Sequence, residues 1–298
     1  MWLFLSLLSA FFLGMYDVSK KHAVTGNAVF PVLFFSTTSG FLCTLPFLLI
    51  SQFLPETAQK WHFYAGNQPA GDHLLIIAKS VIVGTSWILS YFGLKHLPIT
   101  IASPLRATAP LFTVLFAVTL FGERPSVPQS IGIGLIICSY FLYSLSNRKS
   151  SSTKAPLIWI LFMIFSAITG AISAGFDKYL LQSRALPPMF VLSWFLFYLA
   201  IIYGIISVIF WFPQRKKLTP FSLRPSIGLI GSLLVIADIT YMNALSDPIA
   251  KLALVSAIRR SNVLISFIGG MVLFREGDFR KKIVPFAGII AGLILIMA

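Results

Sequence analysis

Acidic side chains are scarce in this sequence: nine Asp and Glu among 298 residues, with all four charged types together making up 11%. A soluble domain averages about 25% charged residues, so a water-exposed fold is excluded. The chain is 57% hydrophobic with a mean hydropathy of +0.87 and reads as an integral membrane protein. Period-two alternation is missing, which argues against an outer-membrane barrel. Only two cysteines occur, Cys43 and Cys138, in separate apolar runs. They read as small packing residues and carry no redox information. There is no phosphate-binding glycine loop and no clustered Cys/His set. The four histidines, His22, His62, His73 and His96, fall at helix ends or in loops. No nucleophile–base constellation lies at membrane depth. The expectation is therefore no catalytic residue, no metal and no cofactor, with an enzyme the least favoured class.

What is present is apolar length. Runs of about 20 residues recur from end to end, each able to cross about 30 Å of hydrocarbon. Ten are expected: 2–22, 30–52, 74–94, 98–121, 128–146, 157–181, 189–211, 226–245, 249–273 and 282–298. Little is left over for a soluble domain, so the chemistry belongs inside the bundle. The first run lacks a basic leader and continues into "GMYDVSKKHA", which predicts a retained helix rather than a cleaved signal. Within 53–73, Trp61, Phe63 and Tyr64 read as an interfacial aromatic patch.

The formal net charge is +14, and its distribution follows the loops. Those after the third, fifth, seventh and ninth spans hold Lys95; Arg148, Lys149 and Lys154; Arg215, Lys216, Lys217 and Arg224; and Arg275, Arg280, Lys281 and Lys282. Loops on the other face hold Lys60, Arg124 and Arg184. The positive-inside rule places the first set in the cytoplasm and both termini outside. Split among short loops, this charge speaks for membrane topology rather than nucleic acid.

Two halves of the chain resemble each other. "YFGLKHLPI" (91–99) matches "YMNALSDPI" (241–249), and "LRATAPLFTVLFAVTLFGE" (105–123) matches "IRRSNVLISFIGGMVLFRE" (258–276). The second match pairs Arg106 with Arg259 and Glu123 with Glu276. Earlier, "SAFFLGMYDVSKKHA" (9–23) matches "SAITGAISAGFDKYL" (166–180), pairing Lys21 with Lys178. Five spans per half make the second half enter the membrane from the opposite side, the inverted repeat on which alternating-access carriers are built. The expected organisation is a first repeat over 1–147, a basic, serine-rich linker over 148–156 and a second repeat over 157–298. The fold class is thus an all-α integral membrane protein of ten transmembrane helices in two inverted five-helix repeats.

"PLFTVLFAVTLFGE", its counterpart ending "VLFRE" and the "SAIRRSNVL" segment resemble the EamA-type carriers of the drug/metabolite transporter superfamily, over essentially the whole chain. That resemblance implies a ten-helix inverted-repeat fold in the cell (inner) membrane and export or exchange of a small metabolite. It also implies cytoplasmic termini, against the orientation that the loop charges give.

Several charged residues fall at membrane depth, where an arginine costs roughly 2.5–3.5 kcal/mol by insertion scales. Arg106 stands between Pro104 and Pro110, which deprive their helix of N–H donors and loosen it around the arginine. Arg259 and Arg260 hold the equivalent place in the ninth span. Adjacent helical residues differ by about 100°, so the two are expected to point different ways, one pairing with Asp238 on the preceding span. Asp17 and Lys21, spaced i, i+4 on one face, and Asp177 with Lys178 are candidate gates toward opposite surfaces, though lysines there could also snorkel. Lys79 and Lys251 are expected to snorkel. Tyr91, Tyr241, Asn243 and Ser261 could add hydrogen bonds to a ligand or join helices. Gly269 with Gly270, and Gly132 with Gly134, permit close helix approach.

Three central arginines against one central aspartate leave an excess of positive charge that an anion would complete. Arginine forks onto carboxylate or phosphate. The expected function is a secondary carrier of a small anionic or zwitterionic metabolite held at Arg106, Arg259 and Arg260, working by rocking of the two halves. Coupling is open: Asp238, Asp17 or Asp177 could take a proton, or the protein could exchange solutes. The partners are thus a small solute, a proton in one version, and the lipid bilayer; nucleic acid is excluded and a homodimer left open. Two alternatives stand: a lipophilic-cation exporter, which wants an unpaired carboxylate at the centre of the first span, where "SAFFLGMY" supplies none, and a non-transporting lipid-handling subunit, whose arginines would be permanently paired.

Overall fold

The computed structural model describes residues 1–24, 26–61, 63–97, 105, 108–145, 156–216, 219–266, 268 and 283–297. Arg106, Gly269, Gly270, Glu276 and most of the linker lie outside that set, as do the side chains of Lys21 and Tyr91 within their helices. Most of the described residues are helical, with no strand among them. With no water in the hydrocarbon core, each backbone N–H must find its acceptor within its own segment, and a helix provides this.

The helices are α1 (Trp2–Val24), α2 (Val29–Phe53), α3 (Pro55–Lys60), α4 (Ala70–His96), α5 (Ala109–Phe121), α6 (Val127–Leu145), α7 (Leu157–Lys178), α8 (Pro188–Ile206), α9 (Pro225–Ser246), α10 (Leu252–Arg259) and α11 (Ile283–Met297). Prolines open α3, α8 and α9, at the position where the missing N–H has no intrahelical acceptor in any case. Gly122 ends α5 at φ 61°, a left-handed cap that glycine adopts without cost. Beyond Lys178, α7 runs into a π-helical turn, Tyr179–Ser183, and α8 into another, Ser207–Trp211.

Of the ten expected spans, six are matched, among the described residues, by helices long and apolar enough to cross a membrane: Trp2–Val24, Val29–Phe53, Ala70–Ser90, Leu157–Ser183, Pro188–Gln214 and Pro225–Ser246. Shorter apolar helices cover Ala109–Phe121, Val127–Tyr143 and Ile283–Met297. The span expected at 249–273 is described as α10 and a further helical stretch over 262–266.

Packing is between helices distant in sequence. The pairs α1 with α9 and α10, α2 with α8 and α9, α4 with α7 and α8, α5 with α7 and α10, and α6 with α11 form the bundle. The core runs along α8 and α9, where Phe190, Leu192, Leu196, Leu199 and Met242 are enclosed. Large apolar residues such as Phe4, Leu42, Phe165, Ile205 and Ile294 point outward, as a surface solvated by lipid tails requires. One close approach is between α6 and α11. A Cβ on Gly132 would meet the Gly292 carbonyl at 2.7 Å, and one on Gly292 would meet the Gly132 carbonyl at 2.7 Å. Gly134, expected to share in close packing, faces open space. In the 53–73 loop Trp61 is exposed, whereas Phe63 packs edge-on against Phe47 at 5.1 Å.

Candidate functional site

Seven charged side chains that apolar helices would not carry without cause converge on one cavity of about 320 Å³. Its lining includes Asp17 and Lys20 from α1, Lys79 and Trp87 from α4, Asp177 from α7, Asp238 and Tyr241 from α9, and Arg259 with Arg260. Three carboxylates thus face four cations. This corrects the expectation of a single central acid, because Asp17 and Asp177 are wall residues of the same cavity as Asp238. Two physical facts explain the difference: α7 and α4 pack together, and α1 packs on both α9 and α10.

Arg259 and Arg260 also depart from expectation, since both line the cavity. The cause is a break in the helix. α10 ends at Arg259, residues 260 and 261 form a turn, and the helix resumes at 262. Through the break the bonds are i to i+3: Arg260 N to Ala257 O at 3.0 Å, Ser261 N to Ile258 O at 3.0 Å, and Leu264 N to Ser261 O at 2.9 Å. Tightening of this kind changes the angle between consecutive side chains, so the regular helical offset does not hold. Irregular backbone at this depth survives beside protein or a polar cavity. Before α5 the same bonds recur: Thr108 N to Leu105 O at 3.2 Å and Leu111 N to Thr108 O at 3.0 Å. Even the hydroxyls agree, with Thr108 Oγ1 donating to Leu105 O at 2.6 Å and Ser261 Oγ to Ile258 O at 2.8 Å.

Within the cavity the groups form a chain. Arg259 Nη2 donates to Asp238 Oδ1 at 2.8 Å, the partner expected from the sequence. Its guanidinium lies 4.1 Å from the centroid of the Tyr241 ring, a cation–π contact. Tyr241 in turn donates its O–H to Asp177 Oδ2 at 3.4 Å. The other oxygen, Asp177 Oδ1, accepts from Lys79 Nζ. Lys79 is 2% exposed, with its ammonium 4.4 Å from the Phe195 centroid, so it does not snorkel. Arg259 Nε is buried and has no hydrogen-bond partner among the described residues. On the α1 side, Asp17 Oδ2 accepts from Asn262 Nδ2 at 2.7 Å.

Lys178, next to Asp177, turns away from the cavity toward Glu123. Glu123 is 6% exposed and one carboxylate ties three elements together. It accepts from Lys178 Nζ at 2.5 Å and from the N–H groups of Leu252 at 2.5 Å and Ala253 at 2.9 Å. Those N–H groups open α10 and have no acceptor within it, and the helix dipole favours the negative charge there. Nearby, Gln182 Nε2 reaches the carbonyls of Leu245, Asp247 and Ala250 at 2.8–3.1 Å. The turn between α9 and α10 is pinned at this end.

Other residues singled out in the sequence fall elsewhere. Asn243 is not part of the lining and donates to Ile239 O of its own helix at 2.8 Å. Lys251 donates to the Arg124 carbonyl at 2.6 Å. Sequence reasoning missed the Lys79–Asp177 pair and the Glu123 clamp. One signal was available for the first: "LLIIAKSVIVG" offers Lys79 no acid within its own turn, so its partner had to come from another helix.

The EamA-like transporter family model matches residues 1–145. An uncharacterised protein of Methanocaldococcus jannaschii is 30% identical over 143 residues, covering 48% of this chain and 96% of that protein. An uncharacterised transporter of Synechocystis sp. is 28% identical over 152 residues, 49% of this chain and 42% of the relative. An uncharacterised inner membrane transporter of Salmonella typhimurium is 28% identical over 149 residues, 49% of this chain and 46% of the relative. The chain thus matches less than half the length of these two transporters. Among solved structures, one crystal structure aligns with a TM-score of 0.71, covering 99% of this chain and 94% of that chain at 16% identity. At that identity the likeness is one of fold. On the family match and these relatives, the chain belongs to the EamA-like transporter family, within the drug/metabolite transporter superfamily.

Proposed function

We propose that this protein is a secondary carrier of the inner membrane that exports or exchanges a small anionic or zwitterionic metabolite by alternating access. The observation that carries the reading is Arg259. One of its nitrogens holds Asp238, while a buried Nε has no acceptor among the described residues, on a side chain that lines a 320 Å³ cavity. A carboxylate or phosphate in the cavity would supply that acceptor. With three carboxylates opposite, a solute that also bears an ammonium group would be matched at both ends.

Two repeats, 1–147 and 157–298, are supported by packing that exchanges between the halves. α1 with α9 answers α4 with α7, α1 with α10 answers α5 with α7, and α2 with α9 answers α4 with α8. Ser9 donates to the Ala237 carbonyl at 2.7 Å, and Ser166 to the Ser86 carbonyl at 2.8 Å. The matched i to i+3 turns at 105–111 and 258–264 differ by the 153 residues of the sequence repeat. Arg106, at the place equivalent to Arg259, is accordingly proposed as the second anion-binding arginine. Rocking of the halves about the cavity is the corresponding mechanism.

The test is thermal stabilisation of purified protein by a panel of amino acids, carboxylates, phosphorylated sugars, nucleotides and organic cations. Arg259→Gln, Arg260→Gln and Arg106→Gln are run alongside. Stabilisation by anions or amino acids that is lost in a folded variant is the expected result. Asp17, on the cavity wall directly after "SAFFLGMY", gives the cation-exporter reading a carboxylate on the first helix. Stabilisation by organic cations alone, lost in Asp17→Asn, would establish that reading instead.

A further inference from the structure

An ion pair that joins two moving bodies has to be broken and remade each time they move. Arg259–Asp238 lies wholly in the second half and travels as one unit. Lys178–Glu123 and Arg184–Asp72 join the halves, but none of the four residues lines the cavity. Lys79–Asp177 does both: Lys79 comes from α4, Asp177 from α7, and each is a wall residue. The alternating-access reading, on which this inference rests, draws α4 and α7 apart on rocking.

Both members are enclosed, at 2% and 6% exposure, and a buried charge stripped of its partner is strongly destabilising. The groups around Asp177 determine what replaces Lys79. From α9 come the Tyr241 hydroxyl and a second carboxylate, Asp238. From α10 comes Arg259, already engaged with Asp238. On α7 itself, Lys178 is held by Glu123, just beyond the end of α5. Two further cations line the same cavity: Lys20 of α1, its ammonium 5.5 and 5.7 Å from the Tyr16 and Trp87 ring centroids, and Arg260 in the turn after α10. Withdrawal of Lys79 takes away the cation bonded to Asp177, and Asp238 adds repulsion. We propose that Asp177 is the proton-coupling site of the carrier, ionised while Lys79 is in contact and protonated when the rocking withdraws it. The proton enters from the aqueous side to which the cavity is then open, bonds to a carboxyl oxygen, and leaves when the pair re-forms.

Two measurements test this. An infrared difference titration of the purified protein needs no solute: acidification is expected to raise a protonated-carboxyl carbonyl band that is missing in Asp177→Asn and retained in Asp238→Asn. Vesicles holding the protein and an internal pH dye are then given an inward gradient of amino acids, pyruvate, citrate and glucose 6-phosphate. Wild type is expected to shift the internal pH as solute moves. The double variant Lys79→Met/Asp177→Asn, which strands neither charge, is expected to exchange solute with the pH shift lost. The assignment is overturned if the band is absent from wild type or unchanged in Asp177→Asn, if solute moves through wild type without a pH shift, or if the double variant keeps it. Loss of solute exchange in a folded double variant also overturns it, making the pair a solute contact. A wild type with the Asp177 band that moves none of these solutes contradicts the carrier reading and leaves Asp177 a proton site.

Discussion

Arg259 bears on three groups at once, so its substitutions separate binding from structure. Glutamine keeps a hydrogen bond toward Asp238 but loses the charge; lysine keeps the charge but loses the planar fork and the stacking over Tyr241. If Arg259 holds the solute, Arg259→Gln weakens solute binding roughly ten- to a hundredfold, the equivalent of one charge-assisted hydrogen bond. Arg259→Lys then falls between wild type and glutamine. The measurement is the solute concentration needed for half-maximal thermal stabilisation. Were Arg259 only a structural partner of Asp238, both variants would melt earlier with their solute dependence unchanged. At this scale the sequence was legible where a charge interrupts an apolar run and its partner lies nearby, as with Arg259 and Asp238, 21 residues apart. It was not legible for Lys79 and Asp177, 98 residues apart. Their meeting depends on which helices pack, and an isolated lysine in an apolar run reads equally well as one reaching for the interface.

The elements carry two further expectations. Glu123 ties α5 to the first turn of α10 and to Lys178. Glu123→Gln leaves the largely buried Lys178 ammonium without a counter-charge, so stability is expected to fall by about 3 kcal/mol. Glu123→Gln/Lys178→Met, with neither charge stranded, is expected to recover part of that loss; thermal unfolding of the single and double variants checks it. A double variant less stable than either single one would refute the clamp. Between α6 and α11, Gly132→Val forces side-chain atoms onto the Gly292 carbonyl, and about 1–3 kcal/mol of destabilisation follows from overpacking. Gly134→Val, where a Cβ meets nothing within 4 Å, is the control and is expected to unfold like wild type. The sequence offered both glycines equally because spacing alone does not say which one faces the neighbouring helix. It also gave the ninth span as one regular helix, since no proline or glycine marks the break after Arg259. The i to i+3 bonds there are accompanied by a local one, the Ser261 hydroxyl bonded back to Ile258 O.

For the whole molecule, the decisive feature is that the helices pack mostly across the halves: α1 lies on α9 and α10, α4 on α7 and α8, α5 on α10, α6 on α11. A cavity walled by both halves can open at one end only if these contacts slide or tilt at the other. Composition and apolar length were enough to read a helical membrane protein, because hydrocarbon leaves few ways to satisfy a backbone. The cavity, by contrast, depends on helix rotation and on contacts between residues more than 200 apart, such as Asp17 with Asn262. In the proposed carrier, solute binds in this cavity and crosses the membrane from it. Counterflow in reconstituted vesicles tests that most directly. Vesicles preloaded with an unlabelled compound that stabilises the protein are diluted into a trace of the same compound in labelled form. Transient accumulation of label in wild-type vesicles, abolished in Arg259→Gln, is the predicted result. Label that never exceeds equilibration for any stabilising compound, or that accumulates equally in Arg259→Gln, would contradict it.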